Sequence, residues 1–269
     1  MKLSIGISPC PNDTYIFEAI HNETIGIEGI SFDFHFADIQ ELNRMASAGS
    51  LDLVKLSYAH YFSVATEYAL LRAGGAMGKG VGPLLIYKNK PEELSKAVCA
   101  IPGENTTANF LLNNHYPEIS QKQTFRFDQI EDAVLNEEVA LGLIIHENRF
   151  TYEKKGLHKL ADLGDLWEAS TNCPIPLGGI AIKRKFSKSL ANNINELIIQ
   201  SIELSGYHLE LSEFICQHAQ EMKTEVMQQH IDLYVNEHSI EVGKAGILAI
   251  EKMQAFIAPH QKYDIFIAK

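Results

Sequence analysis

Leu3-Ser4-Ile5-Gly6-Ile7-Ser8-Pro9-Cys10-Pro11-Asn12-Asp13-Thr14 is the stretch on which the fold turns. Leu3 to Ile7 reads as a buried strand, Ser8 to Asn12 as a turn stiffened by prolines, and Asp13-Thr14 as the start of a helix running through Ile20. A strand that hands over to a helix through a short turn is one βα unit. The same unit recurs outward along the chain. Phe32, Phe34 and Phe36 alternate with Asp33 and His35, a strand with one buried face, and a helix from Gln40 to Ala48 follows, closed by Gly49. Asp52 to Leu56 is a third strand running into Ser57, and Tyr58, Tyr61, Phe62 and Ala65 keep helical spacing after it. Repeated units of this kind predict an α/β fold, with a mostly parallel sheet covered by helices.

The chain changes lobe near Gly82 to Asn89. The apolar strand Pro83 to Tyr87 leaves a glycine-rich loop there and ends in the linker Lys88-Asn89-Lys90-Pro91. The βα pattern then restarts with a strand at Ala97 to Ile101, helices at Thr106 to Asn113 and Asp128 to Asn136, and a strand at Ala140 to Ile145. Pro174 to Gly179 reads as a turn, and Ile180 to Lys183 as the strand that crosses back. Two crossings predict two lobes around a cleft, with residues 1–86 and 183–269 in lobe I and residues 87–182 in lobe II. From Ser187 onward the pattern is helical, at Leu190 to Ile202, Glu213 to Ala219, Glu225 to Val235 and Val242 to Phe256, and these helices are expected to cover the first lobe.

The chain has 269 residues, 46% apolar and 21% charged, which suits a globular protein with a large core. Its formal net charge of −11 repels phosphate backbones, so nucleic acid is not expected as a partner. Cys10, Cys99, Cys173 and Cys216 lie far apart without a C-x-x-C pair, which fits a reducing compartment. No stretch approaches the ~20 apolar residues of a membrane span, and the apolar run before Ser8-Pro9 is too short for a secretory signal. A cytoplasmic protein without a membrane partner is expected. The sequence assigns no oligomeric state.

Gly74 to Gly82 is rich in glycine, but Gly80 follows Lys79 where a phosphate loop needs Ser or Thr, and a strand comes next instead of a helix. It reads as a hinge-adjacent loop bordering the cleft. His146-Glu147 lacks a second histidine at the zinc-protease spacing, so metal-free chemistry is expected. His35, His60, His115, His158, His208 and His260 read as surface residues, and no nucleophile elbow is present. Ser8 to Thr14, Ser57 and Glu104 to Thr107 put hydroxyls at strand-to-helix turns, where they can cap the helix or bind an anion. With Thr106 and Thr107 adjacent, one suffices as the cap and the other is free to face the cleft. Lys55 supplies charge there or lies on a solvated face. Pro176 to Gly179, Asn236 and His238 are further cleft candidates.

His146 follows the apolar run Leu141 to Ile145, at the carboxyl end of a strand, where open α/β sheets place ligands. An imidazole there is either a general base or a histidine hydrogen-bonded to the following loop.

Together, Ser8 to Thr14, Gly103 to Leu112, Gly142 to Thr151 and Pro176 to Gly179 resemble the 1,4-dihydroxy-6-naphthoate synthase family of the futalosine route to menaquinone. Lys55 to Tyr58 and Gly74 to Pro83 extend the likeness. The resemblance implies a two-lobed, type II periplasmic-binding-protein-like fold and a carboxylated small-molecule substrate, cyclic dehypoxanthinyl futalosine. It implies carbon–carbon cleavage to 1,4-dihydroxy-6-naphthoate and a small ketone, with no cofactor. It also implies His146 as the general base, with Lys55, Ser57, Thr106 and Thr107 binding substrate. The alternatives are chorismate dehydratase on the same fold, and a solute-binding protein that closes on a carboxylate without turnover.

Overall fold

The computed structural model describes residues 1–206, 210–219 and 223–267, so His208 lies outside the described residues. The chain begins one sheet with Lys2–Ile7 (β1), Ser31–Phe36 (β2), Leu53–Ser57 (β3), Tyr68–Leu70 (β4) and Ala76–Gly78 (β5). It crosses to a second sheet made of Leu84–Tyr87 (β6), Cys99–Ile101 (β7), Lys122–Thr124 (β8), Leu141–Ile144 (β9) and His158–Asp162 (β10). It returns to the first in the long strand Ile175–Lys183 (β11). The first sheet has the order β2-β1-β3-β11-β4, with β5 on β11, and the second has the order β10-β6-β9-β7-β8. β1 runs parallel to β2 and β3, whereas β11 is antiparallel to β3, β4 and β5. β9 is parallel to β7 and antiparallel to β6. Both sheets are therefore mixed.

Eleven α-helices lie among the described residues: Pro11–His21 (α1), Ile39–Ser47 (α2), Tyr58–Val64 (α3), Thr107–His115 (α4), Ile130–Leu135 (α5), Leu163–Thr171 (α6), Lys188–Ser205 (α7), Glu213–His218 (α8), Thr224–Tyr234 (α9), Glu237–Ile240 (α10) and Gly243–Ile257 (α11). Their starts are chemically marked. Pro11 opens α1 two residues before the expected Asp13, because a first-turn position has no use for the N–H that proline lacks. Asp38 accepts from Gln40 N and Glu41 N at 2.9 and 3.0 Å to cap α2, and Asp162 caps α6 the same way. Leu3, Ile5 and Ile7 of β1 are fully buried with Ile16 and Phe17 of α1 and Ile194 and Ile198 of α7. Each such side chain contributes about 1.5–3 kcal/mol by leaving water. Of the late helices, α7, α8 and α9 pack against α1 and α11 packs against α3 and β11, while α9 also touches the turn His146–Phe150 that follows β9.

Three local expectations are corrected. Pro174 to Gly179 is no turn: β11 already begins at Ile175, and a register shift between Pro176 and Gly178 accommodates the proline and glycines within a paired strand. The glycine-rich stretch contains β5, which pairs with β11. His60 is buried, its Nε2 at 2.9 Å from Ser47 Oγ and its Nδ1 at 3.2 Å from Ser63 Oγ. A helical histidine flanked by two serines satisfies both ring nitrogens inside the protein.

Candidate active site

A cavity of about 640 Å³, counting its mouth, opens where the carboxyl ends of β1, β3 and β9 meet the amino ends of α1, α2 and α4. This is the edge at which strand-to-helix turns leave backbone N–H groups unpaired. Lys55, Ser57, Thr106, Thr107 and His146 all line it. Ile39, Val81, Pro83, Ile145, Leu177 and Tyr234 supply apolar wall.

The polar floor is built around Asp13, in the first turn of α1. Ser8 donates to its Oδ2 from Oγ at 2.7 Å and from N at 3.2 Å. Asn12 Nδ2 and Lys55 Nζ donate to Oδ1 at 2.9 and 2.7 Å. Lys55 sits mid-strand in β3, where every side chain is buried, and also donates to Gly74 O at 3.0 Å. A buried ammonium needs such a partner, so its charge is matched within the protein. The solvated-face reading of Lys55 is therefore excluded. The third N–H of its ammonium has no acceptor among the described residues.

Ser57 closes β3. Its Oγ accepts from Asn43 Nδ2 at 3.1 Å and its N donates to Asn43 Oδ1 at 3.0 Å, leaving the hydroxyl hydrogen without an acceptor among the described residues. Thr106 is the N-cap of α4: it accepts from Asn109 N at 3.2 Å and donates to Gly103 O at 2.8 Å. Thr107 is not the free hydroxyl that adjacency suggested. It donates to Leu177 O at 2.8 Å and accepts from Ala59 N at 3.3 Å, tying α4 to β11 and α3. What this corner offers an anion is the first turn of α4, at Thr107 and Ala108, and the Ser57 hydroxyl.

His146 stands directly beyond β9 with φ of 58°, a left-handed conformation that is uncommon for a residue with a Cβ. Such a bend stores about 1–3 kcal/mol, and it turns the chain into the 3₁₀ turn His146–Phe150 while the imidazole joins the cavity wall. Neither ring nitrogen makes a hydrogen bond among the described residues, which removes the reading of a histidine tied to its loop. The ring meets Phe127 edge-on at 5.0 Å and His230 face to face at 5.9 Å. Burial pulls its pKa down to about 4; Asp13 opposes that shift, Lys55 adds to it and Asp38 opposes it. The imidazole is thus neutral at physiological pH, with a lone pair available.

Cys10, the N-cap of α1, is buried, and burial together with Glu147 and Asp13 pushes its thiol well above the ordinary value. Cys10, His146 and Glu147 bring one ligating atom each within 4.8 Å of one another. Ligands on a tetrahedral zinc lie about 3.3–3.7 Å apart, given bonds of about 2.0–2.3 Å, and the cysteine must be a thiolate. Three such groups leave any ion short of a fourth protein ligand among the described residues, and the thiol would have to give up its proton to bind one. Asn236 and His238 stay out of the cavity: Asn236 Nδ2 donates to Met77 O at 2.9 Å and the His238 ring lies 3.1 Å from Val242 O. Leu177 and Gly178 of the Pro176 to Gly179 segment do line it.

Sequence reasoning did not single out Asn12, Asp13, Asn43, Tyr234 or His230. Asn12 and Asp13 lie in a turn whose hydroxyls are the more obvious anion donors, and their own roles depend on His230 and Lys55, distant in sequence. His230 sits on the buried face of α9, where an amphipathic pattern gives no sign of a polar partner 218 residues away.

The architecture is that of periplasmic binding proteins. The Candida albicans CA3427 gene product, described as having the generic periplasmic binding protein fold, superposes with a TM-score of 0.70 at 12% identity, over 100% of this chain and 96% of that one. The crystal structure of AF1704 from Archaeoglobus fulgidus is nearer, with a TM-score of 0.88 and 28% identity over 94% and 95% of the two chains. A protein of Thermus thermophilus named 1,4-dihydroxy-6-naphthoate synthase is 40% identical over 254 residues, 94% of this chain and 93% of the relative. The family described as "Menaquinone biosynthesis" matches residues 3–258. The chain therefore belongs to the menaquinone-biosynthesis family that includes the 1,4-dihydroxy-6-naphthoate synthases.

Proposed function

We propose that the protein is a cytoplasmic 1,4-dihydroxy-6-naphthoate synthase. In this reading it cleaves cyclic dehypoxanthinyl futalosine to 1,4-dihydroxy-6-naphthoate and releases the sugar-derived carbons as a small ketone, dihydroxyacetone. The observation that carries it is His146: a neutral imidazole free of hydrogen bonds among the described residues, on the wall of a cavity floored by Asp13 and Lys55. A neutral base in a confined site can take a proton from the cyclised ring, and the electron pair it leaves drives carbon–carbon scission. Aromatisation of the new ring supplies driving force. Protons and electron pairs are redistributed within the substrate, so the step needs neither an oxidant nor a metal.

The substrate carboxylate is assigned to the first turn of α4 and the Ser57 hydroxyl, with the remaining Lys55 N–H close by. Because Asp13 already neutralises Lys55, the helix N–H groups carry most of that recognition. The apolar wall suits the ring system. Shielding from water strengthens these local donors despite the net charge of −11.

The test is incubation of the purified protein with cyclic dehypoxanthinyl futalosine, following both products by mass spectrometry. Stoichiometric naphthoate and dihydroxyacetone are expected. Recovery of unchanged substrate, or loss of water from chorismate in a parallel incubation, would overturn the assignment.

A further inference from the structure

The proposed mechanism uses one imidazole of a stacked pair and leaves the other without a role. His230, on α9, is completely buried. Its ring lies 5.9 Å from that of His146 at an interplanar angle of 25°, and Tyr234 backs it at 4.5 Å. A chain of hydrogen bonds with one possible orientation at each link fixes which nitrogen carries its hydrogen. Asp13, paired with Lys55 and taking the Ser8 hydroxyl hydrogen, accepts at both oxygens, so Asn12 presents its NH₂ to it, as the 2.9 Å contact from Nδ2 shows. The Asn12 carbonyl oxygen then faces His230 Nε2 at 2.9 Å, and that nitrogen must be the N–H. His230 Nδ1 makes no hydrogen bond among the described residues and lies 4.0 Å from Glu147 Oε2, and with the ring neutral it carries the lone pair.

We propose that His230 is a positioning residue for His146: a neutral, tautomer-locked imidazole whose face holds the His146 ring turned into the cavity. The inference rests on the reading of His146 as the general base. His146 has no hydrogen bond of its own to fix its ring, so its orientation depends on its left-handed backbone, on the edge of Phe127 and on the face of His230. Neutrality of His230 is part of the device. An imidazolium there would repel the proton that His146 accepts; Glu147, 4.0 Å from Nδ1, favours that charge, and burial with the neighbouring His146 and Lys55 outweighs it. The charged and titratable groups around the pair are Asp13, Lys55, Asp38, Cys10, Glu147 and the phenol of Tyr234. Burial, with His146 and Lys55, pushes the His230 pKa well below the ordinary histidine value, in keeping with that neutral state.

The tautomer is read in the wild-type protein by nitrogen NMR of ring-labelled histidine between pH 5.5 and 8, with His146 and His230 identified through His146→Gln and His230→Phe. His230 should be neutral throughout, with hydrogen on Nε2; a hydrogen on Nδ1 or a charged ring would overturn the proposal. His230→Ala should lower kcat at least tenfold with KM within threefold. It should also move the His146 titration, and the acid limb of kcat/KM, upward toward 6.5 as water enters. His230→Phe keeps the ring plane and should leave both within threefold and about 0.5 pH units of the wild type. Wild-type kcat and an unmoved His146 titration in a folded His230→Ala would overturn the positioning role. The NMR measurements need no turnover, so failure of the synthase assignment would show separately, as a wild-type protein with a fixed tautomer and no product.

Discussion

At the scale of single residues, two environments decide what the side chains do. His146 is kept neutral chiefly by burial, and a neutral base works above its pKa and loses activity as pH falls through it. The acid limb of kcat/KM is therefore expected near pH 4 instead of 6.5, read from initial rates taken seconds after dilution from neutral buffer. A limb centred at 6.5 would show that the imidazole is solvated. Lys55 and Asp13 form the opposite case, a buried pair at 2.7 Å. Lys55→Met strands a carboxylate and should lower unfolding free energy by about 3–5 kcal/mol in urea titrations. The Lys55→Met/Asp13→Asn double variant should lose less than the sum of the two single losses. Ser57 and His146 could be placed at the cavity from sequence because they stand at or directly beyond a strand end, and Lys55 because it lies two residues before Ser57 on the same strand. His230 could not, since its meaning comes from Asn12, far away in sequence, and Thr107 was misjudged because its hydroxyl partners, Leu177 and Ala59, are backbone groups of other elements.

At the scale of elements, the chain packs backbone against backbone where it leaves the first sheet. A Cβ on Gly82 would lie 2.3 Å from the backbone of Gly164 at the start of α6, a distance that no rotamer change relieves. Arg149 Nη1 donates to Gly82 O at 2.5 Å, Arg149 Nη2 reaches Asp162 Oδ2 at 3.4 Å, and Leu163 N donates to Pro83 O at 2.9 Å, so β6, α6 and the turn after His146 share this contact. Gly82→Ala should cost roughly 1–3 kcal/mol through overpacking and lower kcat, whereas Gly26→Ala, with open space around its Cβ and no left-handed backbone, should leave packing untouched. Equal melting temperatures for Gly82→Ala and wild type would contradict the close approach. The long βα units were readable from periodicity. β4, β5 and β8 were not, because strands of three residues show hardly one period of alternation. β11 was half hidden, since proline and glycine inside a strand look locally like a turn.

At the scale of the molecule, the α/β class followed from the pattern, while the mixed strand directions did not, and the lobe bounds at residues 86 and 182 cut through β6 and β11, which belong whole to the second and the first sheet. Direction depends on which neighbour a strand chooses, and periodicity carries no such information. The two sheets meet through polar ties as well as apolar contact: Asn43 of α2 bonds Ser57 and also Asn105 O, in the turn before α4, at 2.9 Å. Burial also shapes the response of the whole fold to acid. His60, His146 and His230 all have lowered folded-state pKa values, so between those values and 6.5 the unfolded chain binds protons that the native protein does not. Stability from these groups is therefore present above 6.5 and is lost as pH falls toward 4. Calorimetry should show a lower Tm at pH 5.5 than at 7.5 and proton uptake on unfolding. A Tm unchanged between the two would mean that these rings are charged or exposed.

Rapid-mixing single turnover of cyclic dehypoxanthinyl futalosine by wild type and His146→Ala tests the central claim most directly, with substrate affinity measured alongside. Loss of the base predicts a chemical step slower by about 10²–10⁴ with substrate affinity within threefold, since binding is assigned to α4 and Ser57. Wild-type turnover in a folded His146→Ala would place the proton acceptor elsewhere and contradict the assignment.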